Sequence, residues 1–173
     1  MNAQDWIAKL ELAPHPEGGY FAEHYRCANT SPTPRGERNW CTGIYYLLDA
    51  PNFSRFHRLA QADEMWHAYA GSPGTRLHVH MLHPDDGRHE CLELGAGAQL
   101  VGVVPAGVWF AAELAAEDSA VSPQPPSPDP AWFLAGCTVS PGFDFADFEI
   151  AEREALLEAF PRHAELIRRL THV

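Results

Sequence analysis

From Gly18 onward the chain breaks into short segments rich in β-branched, aromatic and Leu residues, each separated from the next by turn residues. They are Tyr20–Arg26, Trp40–Leu48, Ser54–Leu59, Glu64–Ala70, Arg76–Leu82, His89–Leu94, Leu100–Val104, Trp109–Glu113 and Trp132–Val139. Asp85-Asp86-Gly87 reads as a hairpin turn between two of them. Many short strands at near-regular spacing predict an antiparallel sandwich or barrel, an all-β fold. Helical patterns flank it. Trp6, Ile7 and Leu10 share one face of a helix over Gln4–Leu12, stopped by Pro14 and Pro16. Glu152–Phe160 predicts a second helix and Pro161 opens a third, with Leu166, Ile167 and Leu170 apolar. Two segments interrupt the strands: Thr30–Arg38, expected to be a polar loop, and Glu117–Pro130, whose five prolines exclude a central strand. The latter is expected to be a surface loop inserted in a single domain, 1–173, which is long enough for one sizeable core.

Charge narrows the function. With 23 acidic against 12 basic residues, a net charge of -11 and a single lysine, Lys9, the chain lacks the clustered cations that nucleic-acid or membrane-surface binding needs. Its first residues show no leader pattern, and no apolar run reaches the length of a membrane span. Cys27, Cys41, Cys91 and Cys137 form no C-x-x-C pair, so reduced thiols and a cytoplasmic location are expected.

The chemistry centres on the run from His57 to Gly71, H-R-L-A-Q-A-D-E-M-W-H-A-Y-A-G. It resembles the first signature of the cupin barrel, H-x-H-x4-E-x6-G, with His57, Glu64 and Gly71 in place and Leu59 where the second His belongs. Pro105-Ala106-Gly107-Val108-Trp109-Phe110 resembles the end of the second signature, P-x-G-x2-H, with Phe110 at the last His. Longer runs, P-H-P-E-G-G-Y at Pro14–Tyr20, F-S-R-F-H-R at Phe53–Arg58, V-P-A-G-V-W at Val104–Trp109 and G-C-T-V-S-P-G-F-D-F-A-D-F-E at Gly136–Glu149, make the chain similar to cupin family 5, long known as a domain of unknown function. The resemblance implies a double-stranded β-helix (jelly-roll) barrel, related to that of sugar-nucleotide epimerases and commonly dimeric. It implies no single reaction, because a barrel does not fix chemistry.

Alternation along a strand puts Arg55, His57 and Leu59 on one face and Ser54, Phe56 and Arg58 on the other; on the next strand Glu64 and Trp66 oppose Met65, His67 and Tyr69. The resemblance aims the signature His and Glu inward, so His57 and Glu64 are the candidate catalytic pair and Trp66 a pocket neighbour. A buried His satisfied by a backbone carbonyl is the plain alternative for His57. His67 would face the pocket only across a β-bulge. Tyr20, Glu23 and Arg26 follow the Pro-Glu-Gly-Gly turn; Arg26 suits an anionic ligand or, equally, a salt bridge. Tyr46, Trp109 and Trp66 could floor a pocket against a ring, though as core packing they would look the same from sequence, and Ser54 is a further candidate for ligand contact. The signature supplies only two metal donors, and His67 would have to join His57 and Glu64, so no metal cofactor is expected. His78, His80 and His83, an H-x-H-x2-H run, read as a polar outer face ahead of a metal site, though His78 and His80 could still scavenge Ni or Zn. Phe143, Phe145 and Phe148 are expected to pack on the barrel for stability. The functions these residues allow are a metal-independent epimerase, isomerase or lyase on a small polar metabolite, a non-catalytic ligand-binding or sensing module, and a metal-dependent lyase or dioxygenase, which Leu59 and Phe110 disfavour. A homodimer is expected, since unpaired strand edges find partners.

Overall fold

A computed structural model describes residues 1–116 and 129–172. Strands β1 (Ala13–Pro14), β2 (Tyr20–Arg26), β5 (Thr42–Asp49), β7 (Asp63–Gly71), β10 (Val101–Val104) and β12 (Trp132–Ser140) form a six-stranded sheet in the order β1-β2-β5-β12-β7-β10. Strands β6 (Ser54–Leu59), β8 (Thr75–Leu82), β9 (His89–Leu94), β11 (Trp109–Ala116) and β13 (Phe148–Ile150) form a five-stranded sheet, β13-β6-β11-β8-β9. Their pairings are antiparallel, and sequence neighbours such as β5 and β6 fall in different sheets, the double-stranded β-helix expected from the sequence. Inward side chains of both sheets, among them Leu48, Trp66, Val79, Met81, Phe110 and Phe133, make one apolar core. Burying each stabilises the fold by roughly 1.5–3 kcal/mol relative to exposure.

The helices cover the outer faces. Helix α1 (Ala3–Lys9) is closed at its start by a reciprocal cap between Asn2 and Asp5 and packs near Leu47, Trp132 and Leu134 of the six-stranded sheet. It is shorter than its apolar pattern predicts, because Glu11 turns to a φ of 53° and Leu12 joins the packing outside the helix. Helices α2 (Arg153–Ala159) and α3 (Ala164–Arg169) cover the other sheet, with Leu156, Phe160, Ile167 and Leu170 against Phe56, Leu82 and Ala111. No helix among the described residues is long and apolar enough to cross a membrane.

Thr30–Arg38 is not a loop. It forms most of a hairpin of β3 (Thr30–Thr33) and β4 (Gly36–Asn39), with Thr30 opposite Asn39. Its polar composition hides the reason: the Arg38 guanidinium is buried against Asp147, Nε to Oδ2 2.8 Å, an anchor from far along the chain. Most of the expected proline-rich insertion, residues 117–128, lies outside the described residues.

Candidate functional site

A cavity of about 250 Å³ opens at one end of the barrel, and the residue that organises it comes from a turn. Between β1 and β2 the chain reverses through Glu17, Gly18 and Gly19, with the Gly18 N–H donating to the His15 carbonyl and the His15 N–H to that of Gly19. Gly18 has a φ of 116°, and a Cβ there would sit 2.1 Å from the Phe53 carbonyl oxygen, so only glycine lets the turn lie against the start of β6. The Tyr46 hydroxyl donates to the Gly18 carbonyl and the Arg55 N–H to that of Glu17, which fixes the turn from two sides. Glu17 is thereby driven into the barrel. Its Oε2 lies 2.9 Å from His57 Nε2, and its Oε1 accepts a hydrogen bond of 3.0 Å from Ser54 Oγ.

Ser54 and His57 reach one carboxylate because β6 is bulged. Against β11, Phe110 pairs with His57 and Ala112 with Ser54, three steps on one strand against two on the other. The extra residue reverses the alternation, bringing Ser54 to the His57 side while Phe56 enters the packing beneath α2 and α3. A second bulge in β2, between Glu23 and Tyr25, brings Glu23 and Arg26 together on the cavity wall. There Arg26 grips Glu23 through two hydrogen bonds and also donates to Asn39 Oδ1 and the Phe143 carbonyl.

The electrostatics follow from burial. His57 is 2 % exposed, and its Nδ1 lies 2.8 Å from the Arg55 carbonyl, so that nitrogen carries a proton. Burial by itself would depress the imidazole; the Glu17 charge and hydrogen bond, with the Glu64 charge, outweigh it and hold His57 above its ordinary value. Burial would likewise raise Glu17, but His57 in the main, helped by His15 and Ser54, keeps its carboxyl below the usual range. The two form a buried imidazolium–carboxylate pair. Glu64, from β7, lines the same cavity, and burial, reinforced by the Glu17 charge, pushes its carboxyl up to about 7. The cavity therefore holds a fixed ion pair beside an acid that changes state near neutrality.

Residues 4–151 match the sequence family described as Cupin superfamily (DUF985). The chain belongs to this cupin family. A protein of Shewanella oneidensis known from its X-ray crystal structure is 35% identical over 99% of this chain and 98% of its own, with a TM-score of 0.81. A hypothetical protein from Leishmania major is 34% identical over 100% of both chains, with a TM-score of 0.82. The capsular polysaccharide assembling protein CapF of Staphylococcus aureus shares the fold alone, at 12% identity and a TM-score of 0.56 over 82% of this chain and 34% of its own. No curated protein matches the chain.

The metal site of a cupin does not fit these residues. Leu59 and Phe110 offer no donor at two signature positions, and the Phe110 ring lies 4.0 Å from that of His57. Both His57 nitrogens already face oxygen partners. His67 stays on the outer face of β7, with Nε2 3.2 Å from Thr138 Oγ1. Among the other candidates, Glu23, Arg26 and Tyr46 line the cavity and Ser54 supports Glu17. Trp66 is fully buried in the core, edge-on to Tyr46, and Tyr20 packs near Leu47 with the residues around α1. Trp109 lies on the helix-covered face of β11 beneath the Arg58 guanidinium, 4.5 Å from its ring centre, so it floors no part of this cavity. Phe143 and Phe148 pack on Leu59, Ala62 and Val139, as expected, and also line the cavity; Phe145, 64% exposed, lines it without that packing. Glu17 and His15 were the residues that strand alternation could not find, since they sit in a turn. Their signal was the Pro14–Tyr20 motif, with a carboxylate immediately before two glycines.

Proposed function

We propose that this cupin binds a small polar metabolite, sugar-like or anionic, and moves a proton on it in the manner of an epimerase, isomerase or lyase, with no transition metal at His57 and Glu64. The observation that carries this reading is Glu64, a carboxyl at about 7 facing the cavity beside a fixed ion pair. A general acid or base works best when its value lies near the working pH. In this reading Glu64 transfers the proton. His57 and Glu17 hold each other and set the field around it, so His57 acts by position and charge rather than as the carrier. Arg26 with Glu23 contacts the polar end of the ligand, and Phe143, Phe145 and Phe148 cover a ring or sugar face.

The test is mass spectrometry of small molecules retained by protein purified without a tag, followed by incubation of the captured compound in D₂O. Wild type should place deuterium at one carbon, and Glu64→Gln should not. A compound that binds but never exchanges would favour a non-catalytic binding cupin.

The proposal extends to a single domain over 1–173 acting as a cytoplasmic homodimer. In support of the dimer, Met65, Tyr69, Leu100, Val101 and Val103 leave a cluster of exposed apolar side chains along β7 and the edge strand β10. In support of a reducing location, all four cysteines are free thiols.

A further inference from the structure

On the outer face of the five-stranded sheet, away from the cavity, His78 and His80 alternate along β8, and Cys91 of β9 stands opposite His80 in register. One donor atom from each of His78, His80 and Cys91 lies within 4.8 Å of the others. We propose that these three side chains form a binding site for a divalent ion of the zinc class, tying β8 to β9.

The donor set suits that class. Two imidazoles and a thiolate favour zinc and similar borderline ions over magnesium or calcium, which prefer oxygen. Bonds of about 2.0–2.3 Å in a tetrahedron put donors about 3.3–3.8 Å apart, so small side-chain rotations close the present spacing. The surroundings are already arranged for an ion. His80 Nε2 lies 3.1 Å from Glu113 Oε1 on β11, and with its proton there Nδ1 is left as a lone pair, 3.1 Å from His89 Nε2. Glu113 is itself clamped by Arg169 of α3 at 2.7 and 3.1 Å. A carboxylate behind a ligating His is the usual second layer of a metal site, fixing tautomer and ring angle. His80 is only 7% exposed, so this orientation is held by packing. His89 Nε2 stands 3.1 Å from His80 Nδ1, and its exposed ring can turn to become a fourth ligand or give way to water. Binding replaces the Cys91 thiol proton with the ion and releases that proton to solvent.

The site is tested with Co²⁺ added to the full chain purified without a tag and stripped of metal. One equivalent should give the visible bands of tetrahedral cobalt and a thiolate-to-cobalt charge-transfer band, both bleached by one equivalent of Zn²⁺. Cys91→Ser should abolish the charge-transfer band, His78→Ala should weaken cobalt affinity at least tenfold, and Glu64→Gln should change neither. Because substitutions on β8 risk misfolding, a second measurement uses the unaltered chain: Zn²⁺ should slow alkylation of Cys91, read by peptide mass spectrometry, while leaving Cys27 and Cys41 unprotected. Absence of the charge-transfer band, its survival in Cys91→Ser, its loss in Glu64→Gln, or equal alkylation of Cys91 with and without Zn²⁺ would each overturn the proposal.

Discussion

Replacing Glu64 by Gln removes one ionisable proton and little else, so it isolates what burial does to this carboxyl. An acid raised from an ordinary 4.5 to about 7 holds more protons folded than unfolded across that interval, so stability falls as pH rises through it. At about 1.4 kcal/mol per pH unit, the ionised wild type at pH 8 carries a cost of about 3 kcal/mol that is absent at pH 4. The glutamine amide keeps the size and polarity of the protonated acid and never ionises. The Glu64→Gln variant should thus match wild type at pH 4 within about 0.5 kcal/mol and exceed it at pH 8 by up to about 3 kcal/mol. For a chain of this size that is a rise in Tm of about 6–12 °C. Urea unfolding of both proteins at half-unit steps from pH 4 to pH 8 measures the difference directly. His57 and Glu17 titrate in both proteins and largely cancel. Two stability profiles that run parallel across the whole range would show that Glu64 is an ordinary carboxylate and remove the basis for its role in proton transfer.

His57→Ala should destabilise the fold by about 3–5 kcal/mol at pH 7, since it strands the Glu17 charge in the barrel, and Glu17→Gln in the same chain should restore part of the loss. A loss under about 1 kcal/mol in urea would mean that water reaches Glu17 freely. Gly18→Ala should cost more than about 1 kcal/mol, and more than Gly74→Ala, because both glycines have positive φ but only Gly18 would also press a Cβ on backbone; equal thermal shifts would refute the close approach. Val103→Lys on the edge strand should convert the proposed dimer to monomer in light scattering at micromolar concentration, and an unchanged mass would place the interface elsewhere or deny it.

The strands of the two sheets were legible because alternation is local. Tyr20–Arg26, Ser54–Leu59 and His89–Leu94 have the bounds their side-chain pattern predicts. The family motifs added the barrel, and the resemblance to the cupin signature put His57 and Glu64 on its inner side, where both line the cavity. What escaped the sequence depends on partners far along the chain. A bulge is one extra residue, unseen by any periodic pattern and decided by the strand that pairs with it, so Ser54 was assigned to the wrong side of β6. The β3–β4 hairpin looked like a loop because its anchor, Arg38 on Asp147, is an ion pair between distant segments. The site shows the same division. Glu64 could be named from its spacing, but its proton affinity could not, because that comes from loss of water and from the charge of Glu17, which only the folded turn brings beneath it.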